Sequence, residues 1–131
     1  MSSLREFRFR GKTLDELKKL NLKEFAQLLP SRQRRSLTKG FRHQQKSLLQ
    51  KLELNKKKTG VKTHCRDLVI IPQMLDRTVL LHNGKEFVPV MIQPEMLGHY
   101  LGEFVLTRQK VAHSAPGIGA TKSSTEIATR K

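Results

Sequence analysis

The chain has 131 residues, a net charge of +15 from 26 basic and 11 acidic side chains, and one cysteine. That length accommodates one domain with at most an appendage. No apolar run could span a bilayer, the first residues show no signal-peptide pattern, and one cysteine excludes an intrachain disulfide framework, so a cytosolic setting is expected.

In chain order, residues 2–12 alternate basic and aromatic side chains, with Arg5, Phe7, Arg8, Phe9 and Arg10. Two readings fit: an extended arm on a phosphate surface, or a short edge strand with both phenylalanines in the core. Thr13-Leu14-Asp15-Glu16 matches a capping box, and Asn21-Leu22-Lys23-Glu24 offers a similar entry with Asn as the cap. These predict short helices over 14–20 and 22–29, the second stopped by Pro30. Ser31 is the expected cap of a third helix, 32–39, ending at Gly40. A fourth spans about 43–54, with Leu48, Leu49 and Leu52 turned inward. Residues 55–63 form a basic connector in which Lys56, Lys57 and Lys58 are solvated unless a partner neutralises them. Val61 to Arg66 fits a short extended segment. Leu68 to Ile71 is a continuous apolar run ending at Pro72, consistent with buried chain against the hairpin that follows.

That hairpin lies in the stretch 78–108, around which the chain is organised. Runs 77–82 and 85–93 flank Asn83-Gly84, a pair suited to a two-residue type I′ turn because both central residues must take φ > 0. The expected register sets His82 opposite Lys85, Leu81 opposite Glu86, Leu80 opposite Phe87 and Val79 opposite Val88. Alternation then gives a core face of Val79, Leu81, Val88, Val90 and Ile92. The opposite face, with Thr78, Leu80, His82, Lys85, Phe87, Pro89 and Met91, is mixed. Pro89 cannot donate to a ladder and belongs on an edge or at an unpaired position. A helix is expected from Pro94, with Met96, Leu97, Tyr100, Leu101 and Phe104 as its apolar stripe. Gly98 and Gly102 each cost such a helix roughly 1 kcal/mol relative to alanine, so a strand or an RNA backbone should approach them closely. Beyond Arg108 the periodicity is lost, and the segment 114–131 is too poor in large apolar side chains to fold alone.

The expected fold is α+β: a small antiparallel β-sheet with a packed helix, short N-terminal helices and an extended C-terminal tail. The expected organisation is a basic helical extension over 1–60, an RNA-binding core over 61–113 and a flexible tail over 114–131.

Charge is segregated along the chain. Residues 31–66 hold 12 basic side chains and a single acid, Glu53, whereas 67–106 hold two basic and five acidic ones. A surface shaped for solubility mixes the signs throughout. A stretch this basic repels itself unless phosphates neutralise it, which points to nucleic acid. Arg32, Arg34 and Arg35 are candidates on charge alone, since guanidinium groups pair bidentately with phosphate oxygens.

Catalytic and metal chemistry is poorly supported. His64-Cys65 has no second Cys/His pair to complete a zinc set, and Cys65 is expected to be packed beside an RNA-facing histidine. The carboxylates Asp67, Asp76, Glu86, Glu95 and Glu103 form no pair suited to acid–base work. Gly117 to Ser123 resembles a phosphate loop but has Thr121 where that pattern needs glycine before Lys122; its expected role is a tail whose amides and Lys122 touch RNA phosphate. His99 and Glu103, four apart, read as a surface pair or an RNA contact.

Several phrases together resemble one family: Lys62-Thr63-His64-Cys65-Arg66, Ile70-Ile71-Pro72, His82-Asn83-Gly84-Lys85, Phe87-Val88-Pro89-Val90, and Gly98-His99-Tyr100-Leu101-Gly102-Glu103-Phe104 with Thr107-Arg108. They resemble the universal small-subunit ribosomal protein family nineteen. The extension with LLPSRQRRSL at 28–37 and the tail HSAPGIGATKSS at 113–124 are similar to its archaeal and eukaryotic members, called small-subunit protein fifteen in eukaryotes. The resemblance implies a structural, non-enzymatic protein without cofactors in the head of the small subunit, in cytoplasmic ribosomes. It implies contact with small-subunit ribosomal RNA, small-subunit protein thirteen as a neighbour, and a tail reaching toward the decoding site and tRNA. Carried onto this chain, the RNA-binding residues are Lys62, His64, Arg66, Asn83, Lys85, Gly98, His99, Gly102, Arg108, Lys110 and His113. One departure stands out. The family usually has Val-Gly after the Pro72 region, and this chain has Leu75-Asp76, although Asp tolerates left-handed geometry better than most residues. The competing readings are a DNA-binding or chromatin protein using the N-terminal helices and, less well supported by its residues, an enzyme acting on RNA.

Overall fold

A computed structural model describes residues 7–55 and 60–111 of the chain. The expectations for Arg5, for 56–58, for His113 and for the tail with Lys122 lie outside the described residues.

Four helices form where the caps predict them: Leu14–Lys19 (α1), Leu22–Leu28 (α2), Ser31–Thr38 (α3) and His43–Leu54 (α4). Glu16 Oε2 accepts the backbone N–H of Thr13 at 3.0 Å, and Glu24 Oε2 that of Asn21 at 3.1 Å. Both bonds satisfy donors that a helix start leaves free. At α3 the capping position is Pro30 and Ser31 is the first helical residue, so the helix begins one place before the expected start. Gly40, at φ +91°, follows the helix in the left-handed region. α4 starts with Gln45 Oε1 accepting the N–H of Arg42 at 3.0 Å.

The N-terminal arm folds back on itself. Phe9 and Lys12 exchange backbone hydrogen bonds of 2.9 and 3.0 Å around Arg10 and Gly11. Both central residues have positive φ, 51° and 81°, as a type I′ turn requires. Phe9 lies 6.2 Å from the Phe25 ring, and Phe7 also packs on the core, while Arg8 and Arg10 are exposed. The pairing is a single bridge, so the phenylalanines reach the core without an edge strand.

The sheet contains Val61–Thr63 (β1), Thr78–His82 (β2) and Phe87–Met91 (β3), in that spatial order. β2 and β3 form the expected antiparallel hairpin, and β1 joins β2 in parallel, so the sheet is mixed. The hairpin register differs from the expected one by two residues: His82 faces Phe87, Leu81 faces Val88 and Val79 faces Val90. The cause is the Asn83 side chain. Its Oδ1 accepts from the N–H groups of both Lys85 and Glu86 at 2.8 Å, and the Asn83 N–H donates to Glu86 O at 3.0 Å. This closes a four-residue loop in which Gly84 alone has positive φ. A slip of two preserves the faces, so Val79, Leu81, Val90 and Ile92 are buried as expected and Val88 is half-buried. Pro89 occupies the edge strand opposite Leu80. Bonded pairs at Arg77–Ile92 and Asn83–Glu86 put it by parity at a non-bonded position.

The helix expected from Pro94 is absent. Two short 3-10 turns, Pro94–Met96 and Leu101–Phe104, replace it. The N–H groups of Gly98, Leu101 and Gly102 are taken by the carbonyls of Ile70, Leu68 and Arg66, at 3.1, 3.0 and 2.9 Å. A helix would have sent them to carbonyls four residues back. The buried run Leu68–Ile71 therefore lies against 98–102, sharing the core with the hairpin's inner face. Gly98 has φ +80°, and a Cβ there would stand 2.6 Å from Leu29 Cδ2; at Gly102 it would stand 3.0 Å from Arg66 O. The close neighbour both glycines required is protein. Asp76 takes φ +60°, the left-handed geometry that Asp tolerates better than most residues.

Leu17, Phe25, Leu29, Leu37, Leu48 and Leu52 from the helices join Leu68, Ile70, Ile71, Met74, Leu81, Ile92, Leu97 and Leu101 in one continuous core. The α1 helix packs on the 3-10 turn Pro72–Met74, and α4 packs on β1. The α3 helix packs on α2, and the shared core ties this pair to the sheet.

Candidate nucleic-acid interface

Helix α3 presents Arg32 and Arg35 to solvent. Arg34 is committed differently: its Nη2 donates to Leu29 O at 3.0 Å and Gln27 O at 3.4 Å, capping the end of α2. Between α3 and the start of α4 lies an open groove of about 660 Å³, lined by Arg32, Lys39, Arg42 and Tyr100 among others. The Ser36 and Tyr100 hydroxyls are 3.1 Å apart and tie the groove floor together. Arg42 Nη1 lies 3.4 Å from Asp67 Oδ2, an exposed pair of small energetic weight.

A second cleft, of about 370 Å³, opens between α4 and β1 and is lined in part by His43, Lys51, Lys62 and His64. The first turn of α4 joins the two hollows, since Arg42 and Gln45 border the groove and His43 and Gln44 border the cleft. The result is a basic band running from α3 over the start of α4 to β1. Lys62 and His64 are exposed, as their alternation with buried Val61, Thr63 and Cys65 requires. The His64 ring meets His82 at 4.4 Å and Phe87 at 5.3 Å, and Lys62 Nζ lies 5.4 Å from the Phe87 ring centre.

Arg66 belongs to the same sequence phrase but points elsewhere. Its Nη1 donates to His82 O at 2.9 Å, and its Nη2 donates to Gly102 O at 2.7 Å and Val105 O at 2.6 Å. This guanidinium joins the end of β2 to the chain that leaves the sheet. Arg77 does the same for α4, donating to Leu52 O and Asn55 O at 3.0 and 2.7 Å.

At the hairpin tip Lys85 is exposed, while Asn83 is spent on the loop's own amides. His99 is exposed, with Nδ1 2.6 Å from Glu103 Oε2. Arg108 and Lys110 are exposed beyond Val105. Gly98 and Gly102 serve packing. The structure thus brings Arg32, Lys62 and His64 onto one band and draws Arg34 and Arg66 into the scaffold. Arg42, His43, Lys51, His82 and Phe87 join this surface although none was singled out for it from the sequence. The outer-face parity of His82 and Phe87 was the available clue. Cys65 is buried, and no cluster of three or more His, Cys, Asp or Glu that could hold a metal occurs among the described residues. No described helix is long and apolar enough to cross a membrane.

Compared with known protein families, residues 35–113, more than half of the chain, match the family described as ribosomal protein S19. The matched segment starts within α3 and includes α4, the sheet and the 98–102 segment.

Proposed function

This chain belongs to the ribosomal protein S19 family, and from that premise we propose that its basic band is the grip of the protein on small-subunit ribosomal RNA in the head of the subunit. The chain is a small-subunit ribosomal protein, an RNA-binding, structural component of the translation machinery. The observation that carries the finer reading is charge segregation made three-dimensional. The stretch 31–66, with 12 basic residues and one acid, supplies α3, α4 and β1, and these line two joined hollows.

In this reading Arg32, Arg35, Lys62, His64, Lys85, His99, Arg108 and Lys110 contact RNA, mainly its phosphates, and His113 and Lys122 extend the contact along the chain. Asn83, Arg34, Arg66, Gly98 and Gly102 act one step behind the contacts, by shaping the loop, helix end and sheet that carry them. Residues 1–60 serve as a basic helical extension of a core over 61–113. The segment 114–131 is a tail directed toward the decoding site and tRNA, with small-subunit protein thirteen as the neighbour in the head. The likeness of LLPSRQRRSL and HSAPGIGATKSS to archaeal and eukaryotic members supports assigning the chain to that branch, with cytoplasmic ribosomes as its setting.

The test is binding of the full chain to a transcript of the head domain of small-subunit rRNA and to duplex DNA across a salt series. Neutralising several phosphates releases counterions, so RNA affinity should fall steeply from low to moderate salt. A flat salt dependence, or equal affinity for the duplex, would remove the reading.

A further inference from the structure

We propose that His64, His82 and Phe87 form a stacking platform for one unpaired RNA base. The inference rests on the rRNA-binding reading and specifies the chemistry of one part of the band. The three rings form a closed triangle: His64–His82 at 4.4 Å, His82–Phe87 at 4.8 Å and His64–Phe87 at 5.3 Å between centres. His82 and Phe87 are cross-strand partners on the sheet's outer face, where side chains at a non-bonded pair come closest. His82 is further oriented by its Nδ1 accepting the Gly84 N–H at 3.0 Å, which assigns its ring proton to Nε2. His64 is the exposed member of the cluster, whereas His82 and Phe87 are half-buried, so His64 is the ring a base can reach.

The surroundings select the ligand. The adjoining cleft contains His43, Gln44, Ser47, Lys51 and Lys62 and no carboxylate. Gln44 and Ser47 offer donors and acceptors to a base edge, and Lys51 and Lys62 offer charge to the flanking phosphates. The rings meet edge-on or tilted, at 35°, 70° and 76°, and buttress one another, and a phosphate alone would have no use for such a cluster of three aromatic rings. A paired base has its faces buried in the helix, so a base that can lie on His64 is an unpaired one, from a loop, bulge or junction.

The experiment measures affinity of the full chain for the head-domain rRNA transcript over a salt series, with His64→Ala, His64→Phe and His64→Lys. His64 is exposed, so the fold should tolerate all three; thermal melting of each variant without RNA checks this. The platform predicts that His64→Ala weakens binding roughly 5- to 150-fold, the range of one lost base–aromatic stack. It predicts that His64→Phe stays within about threefold of the parent chain and that the salt slope is unchanged in both. If His64→Ala binds like the parent, or His64→Lys restores binding and His64→Phe does not, the platform is overturned and the phosphate-binding band stands. If the parent chain itself shows no salt-dependent RNA binding, the underlying reading fails as well.

Discussion

Removing the Arg66 side chain should destabilise the scaffold rather than delete an RNA contact. Its guanidinium makes three hydrogen bonds to backbone carbonyls, at 2.9, 2.7 and 2.6 Å, reaching His82, Gly102 and Val105. Each is charge-assisted but only part-buried, and discounting for solvent screening leaves about 1–1.5 kcal/mol net per bond. Arg66→Ala should therefore cost about 3–4 kcal/mol, a large share of the roughly 5–15 kcal/mol that holds a typical domain together. For a chain of this size that lowers Tm by about 12–16 °C. Arg66→Lys should recover only part of this, because one ammonium cannot serve His82 O on one side and Gly102 O and Val105 O on the other. The assay is denaturant unfolding by circular dichroism in the absence of RNA. A loss below about 1 kcal/mol for Arg66→Ala would refute the scaffold role and return Arg66 to the RNA-contact set.

Asp76 stands at φ +60°, so Asp76→Ala should lose about 1 kcal/mol and Asp76→Gly should lose none, as read by urea midpoints; alanine equal to or better than glycine would contradict the left-handed assignment. Gly98→Ala should cost about 2–4 kcal/mol, since φ +80° disfavours any side chain and the new Cβ meets the buried Leu29 at 2.6 Å; a thermal melt indistinguishable from the parent would show that Leu29 moves aside freely. Arg32→Ala combined with Arg35→Ala should leave stability within about 0.5 kcal/mol and reduce the magnitude of the RNA salt slope by about 1.5–2. Arg34→Ala should instead lower stability by about 0.5–1 kcal/mol through loss of the α2 cap. An unchanged slope in the double variant, or no stability difference between it and Arg34→Ala, would undo the division between contact and scaffold arginines.

The helices were legible because their information is local. Thr13 with Glu16 and Asn21 with Glu24 each bond within four residues, and Pro30 and Gly40 punctuate the chain. The hairpin's faces were legible because alternation survives a slip of two residues. Its register was not, because the Asn83 side chain, by accepting two amides, decides between loop lengths that the Asn-Gly pair alone leaves open. The segment 94–104 misled for a long-range reason: its apolar spacing suits a helix, but the carbonyls of 66–70 claim its amides. Arg34 and Arg66 show the same limit at the site. Composition marks an arginine as a phosphate ligand or a carbonyl clamp with equal ease, and only the fold reveals which carbonyls lie within reach. The packed Cys65 beside exposed His64, by contrast, is found as expected, because alternation along the extended 61–65 segment turns the two to opposite sides.

Tagging the chain in its native cell and fractionating the lysate on a sucrose gradient measures the outcome to which every contact argued above must lead. The protein should travel with small subunits and with whole ribosomes, and leave them as salt is raised. Recovery at the top of the gradient under gentle salt would contradict the account, however well the isolated protein bound RNA.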